Sequence, residues 1–213
     1  MILYLGIIFF ANVLISVLNI AFGTAAAWWI IVMTVASTVF QFAIDGLFAV
    51  IVNKLPDRWF AMDKKCFQVT KRSQNFYEKL KIRKWKDKVW ELGGLGGFRK
   101  NKINEPDNPE YFEKFIIESN KGIVTHRIGY FVGFLGVFLF PLKYAFKIGV
   151  PVALVNLVLN ILPVMILRYN IPKLMVARKR LMRNQALKTS EKDIEKWCLF
   201  FFYKIFTILK FCK

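Results

Sequence analysis

Charged side chains are missing from three stretches of the chain, and those stretches set its plan. Residues 1–44 carry none; Asp45 is the first acid and Lys54 the first base. Residues 128–142 and 148–167 are also uncharged. A membrane-crossing helix needs about 20 mostly apolar residues at roughly 1.5 Å of rise each. The run from Met1 to Val52 is long enough for two, with a break at Phe22-Gly23-Thr24 where small residues interrupt the aliphatic pattern. The two later stretches predict a second hairpin around Lys143 and Lys147. Residues 128–142 make a short span, about 22 Å of helix, which draws His126-Arg127 and Lys143 towards the headgroups. Ala25-Ala26-Ala27 would suit signal cleavage, but the apolar run continues well past it, so no cleaved leader is expected.

Composition sharpens this plan. Of the 213 residues, 56% are apolar, and 32 Lys+Arg stand against 14 Asp+Glu, a net charge of +18. Soluble enzymes, disordered chains and disulfide scaffolds do not combine these properties. The basic residues divide unevenly: 18 lie in 53–127, 12 in 168–213, and only Lys143 and Lys147 between the later apolar stretches. Basic residues beside spans stay on the cytoplasmic side. Both basic regions therefore face inward, which requires an even number of crossings between them. The predicted fold is an all-α integral membrane protein of the cell membrane, with four transmembrane helices in two hairpins and both termini cytoplasmic. Its parts are a transmembrane hairpin over 1–52, a cytoplasmic membrane-associated capping region over 53–127, a second hairpin over 128–167 and a basic cytoplasmic amphipathic tail over 168–213. The surplus charge is explained by topology and by attraction to anionic membrane lipids. No nucleic-acid partner is expected, because no separable basic domain with reading motifs is present.

Along the predicted inner face, Leu55-Pro56-Asp57-Arg58-Trp59-Phe60 ends the second span, with proline as the stop. Residues 81–90 read as a basic amphipathic helix: Ile82, Trp85, Val89 and Leu92 share one face, suited to lie down on the membrane. Gly93-Gly94-Leu95-Gly96-Gly97 ends it as a connector, without the context of a phosphate-binding loop. Asn108 and Pro109 then suit the cap and first position of a helix running past His126 into the third span. Arg168-Tyr169-Asn170-Ile171-Pro172 marks the inner boundary after the fourth span, and the aromatic tail from Trp197 predicts a surface-bound helix.

Few residues suit chemistry. His126 is the single histidine, placed at the water–lipid boundary, where a neutral imidazole serves as a general base or simply as a structural residue. Asp45 lies inside the membrane by helical rise, an expensive position that points to function or to a hydrogen bond with a neighbouring helix. Asn156 and Asn160 share one face of the fourth span, as interhelical bonding requires. Cys66, Cys198 and Cys212 have no metal-ligand spacing, and one histidine without an acidic cluster predicts no metal.

Several segments taken together resemble a known family. They are Leu55-Pro56-Asp57-Arg58-Trp59-Phe60, Arg83-Lys84-Trp85-Lys86, Phe115-Ile116-Ile117-Glu118-Ser119 leading to His126, and Asn160 with Arg168-Tyr169-Asn170-Ile171-Pro172-Lys173-Leu174. In this order they resemble the glycosyl-4,4′-diaponeurosporenoate acyltransferase family over about 53–183. The resemblance implies transfer of a fatty acyl chain to a sugar hydroxyl of a membrane-bound glycosyl carotenoid. It matches Glu118 directly, and Ser119 and Lys121 by similar residues. It departs at Ile123, where the family has a second glutamate, at Arg127, where it has tryptophan, and at Leu167, where glutamine precedes Arg168. A carboxylate at 123 would stand one turn from His126 and orient it. Glu118 is eight residues away, about 12 Å along a helix, and does not reach. Either another acid such as Asp45 takes the role, or the chemistry is weaker, different or absent.

The leading reading is a membrane-bound O-acyltransferase. It has no cofactor; the donor substrate is acyl-CoA or an acyl carrier protein, and the acceptor is a lipid-linked glycoside. His126, Glu118 and Asp45 are its catalytic candidates. Arg83, Lys84, Trp85, Lys86 and Lys121, with Asn160, Arg168, Tyr169 and Asn170, are its substrate-binding candidates, by resemblance and by charge. The alternatives are a non-catalytic membrane scaffold or lipid-binding subunit, which Ile123 and Arg127 favour, and a transport component using Asp45, Asn156 and Asn160.

Overall fold

The computed structural model describes residues 2–23, 25–89, 103–141 and 144–211, which are helical in all their regular structure, with no strand among them. Helices α1 (Ile2–Phe22) and α2 (Ala27–Asn53) are the first two apolar runs, parted where the sequence predicts. Pro56 follows α2, and short 3-10 turns at Asp57–Phe60 and Lys65–Phe67 lead to α3 (Lys71–Lys79). Thr70 caps α3 by accepting from the Ser73 amide at 3.2 Å. Lys81, at a left-handed φ of 53°, turns the chain into α4 (Ile82–Trp85). Helix α5 (Pro109–Val132) begins as predicted: Asn108 Oδ1 accepts from the amides of Glu110 and Tyr111, and Pro109 fills the first turn. Helix α6 (Val150–Phe211) runs for 62 residues.

Three helical stretches are long and apolar enough to cross a membrane: Tyr4–Phe22, Ala27–Asn53 and Ala145–Trp197. The segment 128–142, expected as a helical span, is built differently. Helix α5 stops at Val132 and continues as a 3-10 helix over Gly133–Leu139. Gly133 and Gly136 weaken the α-helix there, and the 3-10 form rises about 2.0 Å per residue, so the short segment reaches further. A π-helical turn at Ala145–Gly149 then feeds α6.

Two other expectations are corrected. The basic helix over 81–90 is reduced to α4 and a 3-10 turn at Lys86–Lys88. Its apolar face does exist, but Ile82, Trp85 and Val89 pack against Tyr77, Ile166 and Tyr169 instead of lying open to lipid. The tail is not a separate helix, because α6 continues through Pro163 and Pro172 without a break. Residues 173–197 are mostly Lys, Arg, Leu, Met, Ala, Gln and Glu, all strong helix formers, and they carry the helix onward. Leu92 and the glycine run 93–97 lie outside the described residues.

The ends of the bundle are defined by contacts. At one end the Trp29 and Tyr144 rings lie 4.6 Å apart, and Asn19 Nδ2 donates to the Lys147 carbonyl at 2.9 Å. At the other, Val52, Phe60 and Phe67 pack with Ile117, Val124 and Ile128. Between them α5 lies along α6, with Ile116, Ile123, Val164, Ile171 and Leu174 in one apolar cluster.

Candidate active site

The polar centre of the bundle is assembled from three helices. His126 on α5 has Nδ1 2.8 Å from Oδ1 of Asn160 on α6. Asn160 Nδ2 donates to Oδ2 of Asp45 on α2 at 3.0 Å, and to the Asn156 carbonyl and Oδ1 at 3.1 and 3.2 Å. A carboxylate and a carbonyl only accept, so the Asn160 amide nitrogen must face them. Its oxygen therefore faces His126, and Nδ1 of the ring must carry the proton. The lone pair is left on Nε2, which has no hydrogen-bond partner among the described residues. The arrangement Asp45–Asn160–His126 thus fixes both the ring's orientation and its tautomer.

Local sequence explains how three helices come this close. A Cβ on Gly129 would stand 2.8 Å from Asn160 Cγ, and one on Gly133 would stand 2.6 Å from Asn156 Nδ2. Glycine at these two positions, four apart, opens the space that both asparagines fill. On α2 the residues Thr34, Ser37, Thr38, Gln41 and Asp45 recur at helical spacing as a polar stripe. Thr34, Ser37 and Gln41 are buried. Gln41 Nε2 donates to the Gly133 carbonyl at 2.9 Å, and Thr38 Oγ1 donates to Asn12 Oδ1 on α1 at 3.0 Å. A narrow cleft between α1, α2 and α6 is lined in part by Asn12, Thr38, Gln41 and Asn156. Asp45 stands about 27 Å along α2 from Ala27, close to the far edge of a ~30 Å hydrocarbon layer.

The remaining sequence-predicted site residues are placed elsewhere. Glu118 and Lys121 are paired with each other at 3.1 Å, and Lys121 also meets Asp57 at 2.6 Å. Burial works against the Lys121 charge, but hydrogen bonds to Asp57 and Glu118 and their negative charge outweigh it. Its pKa stands above the usual lysine value. Next to it the fully buried Asn120 donates to the Phe60 carbonyl at 2.8 Å, so this group ties the loop after α2 to α5. Ile123 is wholly buried in the apolar α5–α6 cluster. Arg83 and Lys84 are exposed, while Trp85 Nε1 donates to the Leu80 carbonyl at 3.0 Å and Lys86 is half-buried. Arg168 donates from Nη2 to the Gln68 carbonyl at 3.2 Å. Tyr169 is buried with Lys173 Nζ 3.6 Å above its ring, and Asn170 is half-buried.

Sequence reasoning brought His126, Asp45 and Asn160 forward separately; the structure joins them. It overlooked Gly129, Gly133 and Gln41. The signals for these were present: a Gly-x-x-x-Gly spacing in an apolar segment, and polar residues recurring down one face of α2.

Comparison with known proteins adds one match. A family model described as glycosyl-4,4′-diaponeurosporenoate acyltransferase matches residues 56–180. No curated protein and no solved structure matches the chain.

Proposed function

Because the chain belongs to the glycosyl-4,4′-diaponeurosporenoate acyltransferase family, we propose that it is a membrane-bound O-acyltransferase. It esterifies a sugar hydroxyl of a glycolipid, of the glycosyl-carotenoid kind, with a fatty acyl group from a thioester donor. The observation that carries this reading is the Asp45–Asn160–His126 chain of hydrogen bonds, which leaves Nε2 of His126 as a free base. The acceptor hydroxyl attacks the thioester carbonyl while Nε2 takes its proton. The tetrahedral intermediate then expels the thiolate, which takes the proton back from the imidazolium, giving an ester and a free thiol. The Asp45 carboxylate stabilises the transient positive charge through the Asn160 amide, the part that an acid at position 123 would otherwise play.

The proposed placement is read from the charge pattern along the chain. Four passes in two hairpins, with the basic regions cytoplasmic, bring His126 to the inner edge of the membrane. There a lipid-bound sugar and a water-soluble donor head meet. Arg83, Lys84 and Lys86 receive the donor, acyl-CoA or an acyl carrier protein, beside Trp85. Arg168, Tyr169 and Asn170 line the same inner end. Glu118 and Lys121 hold the loop that follows the second pass. The non-catalytic alternative, a scaffold or lipid-binding subunit, has one specific observation in its favour: Ile123 puts an apolar side chain where the family has glutamate.

The test is a comparison of whole-lipid mass spectra from bacterial membranes holding wild type, His126→Ala or no protein. A lipid heavier by one acyl increment, found with wild type alone, is the expected result. Removing a general base lowers such a rate by roughly 10²–10⁴-fold. Identical spectra with folded protein, acyl-CoA and glycolipid all present would leave the scaffold reading standing.

A further inference from the structure

Some of the half-buried and buried cations of the inner end are neutralised, and others are not. Lys121 has Asp57 and Glu118, and Arg178 has Glu113. Arg168 has no carboxylate among the described residues. One arm of its guanidinium, Nη2, donates to the Gln68 carbonyl at 3.2 Å, while the other, Nη1, is buried with no partner. An arginine at the end of a span ordinarily extends its head into water. Here one side of the head is turned to the protein, and a main-chain carbonyl 100 positions away in sequence holds the other at a position still open to water. A buried donor left without an acceptor is a costly arrangement.

Its surroundings have the composition of an anion site. Tyr77, Val69, Ile166 and Tyr169 pack as one cluster, in which Val69 adjoins Gln68 in sequence and Ile166 and Tyr169 flank Arg168. Arg127 and Tyr130 stand three apart on one face of α5, Tyr130 packs on the same apolar cluster as Leu167, the neighbour of Arg168, and Arg127, Tyr77 and Arg168 all lie within electrostatic reach of its hydroxyl. Arg127 itself makes no ion pair or hydrogen bond among those residues. It is also the departure next to His126 that the acyl-transfer reading leaves unused. Two guanidiniums supply donors and positive charge, and two phenolic hydroxyls each supply a further donor, to a group carrying several acceptor oxygens.

We propose that Arg168 and Arg127, with the hydroxyls of Tyr77 and Tyr130, bind a phosphoryl group at the inner membrane boundary. The group comes either from the headgroup of an anionic phospholipid or from the phosphate-bearing donor; the donor source rests on the acyl-transfer reading, and the lipid source does not. The test uses the full chain in nanodiscs of phosphatidylcholine, with or without phosphatidylglycerol. One arm measures binding of CoA in the neutral discs. The other measures, by native mass spectrometry, how much phosphatidylglycerol stays bound relative to phosphatidylcholine. Wild type is compared with Arg168→Gln, Arg127→Gln and Arg178→Gln.

Loss of charge-assisted hydrogen bonds should weaken the bound phosphoryl ligand on the order of tenfold or more in Arg168→Gln, and to a lesser extent in Arg127→Gln. Arg178→Gln, which removes a cation already paired with Glu113, should leave it unchanged. A loss confined to CoA assigns the site to the donor, and a loss confined to phosphatidylglycerol assigns it to lipid; either supports the proposal. Arg127 makes no hydrogen bond or ion pair among the described residues that its replacement would break, so that variant remains informative if Arg168→Gln fails to fold. Unchanged binding of both ligands in the folded variants overturns the proposal. So does an equal loss in Arg178→Gln. A wild type that transfers no acyl group but still holds phosphoryl ligand through Arg168 would refute the acyl-transfer reading and leave this site intact.

Discussion

At the scale of single residues, the centre of the molecule is an asparagine that has no hydrogen bond to spare. Asn160 donates to Asp45 and to Asn156, and its oxygen receives the ring proton of His126. Asp45→Asn keeps the shape and an acceptor for Asn160 but removes the charge. Acyl transfer, followed by lipid mass spectrometry, should fall less than in His126→Ala while the protein stays folded. Asn160→Leu should cost more in stability, roughly 1–3 kcal/mol, because it strands buried polar groups; thermal unfolding in detergent measures this. Glu118→Gln weakens only the pairing to Lys121, which keeps Asp57. A partly exposed pair of this kind contributes about 1 kcal/mol or less, and transfer should persist near the wild-type rate in the same assay. His126 and Asp45 were visible in the sequence because a single histidine and an intramembrane acid are conspicuous. The role of Asn160 as the link was not visible, since spacing along α6 does not say which helix it faces.

At the scale of helices, the site depends on how closely α5 approaches α6. Gly129→Ala sets a methyl group 2.8 Å from Asn160, and the asparagine has to move. Overpacking of this kind costs about 1–3 kcal/mol. The expected outcome is a lower unfolding temperature together with reduced transfer, measured on the purified variant. The extents of α1 and α2 and the start of α5 were legible because each has a clear stop or cap: the small residues after Phe22, Pro56, and Asn108-Pro109. The continuation of α6 was not, because Pro172 reads as a breaker in isolation and the helix formers that follow it prevail. Equally hidden was the inward packing of Ile82, Trp85 and Val89, because an amphipathic face looks the same whether protein or lipid covers it.

At the scale of the whole molecule, the proposed four passes would place Cys66 inside and the segment before α6 outside. Cys66 is exposed and free, and Phe146 is exposed at the opposite end. With Cys198 and Cys212 changed to serine, a membrane-impermeant maleimide should spare Cys66 in intact cells and label it in inverted vesicles. Phe146→Cys in a chain also lacking Cys66 should show the reverse. Labelling of both from the same side would remove one pass from the proposed topology. The polar stripe on α2 has a consequence for the way the protein is made. The first two helices leave the ribosome before their partners exist, and Gln41 and Asp45 then face lipid with nothing to bind. Only when the later half arrives do Gln41 and Oδ2 of Asp45 gain the Gly133 carbonyl and Asn160 as partners. The front half by itself thus leaves these polar groups without the partners that the later half supplies, so its own packing is completed only by the rest of the chain.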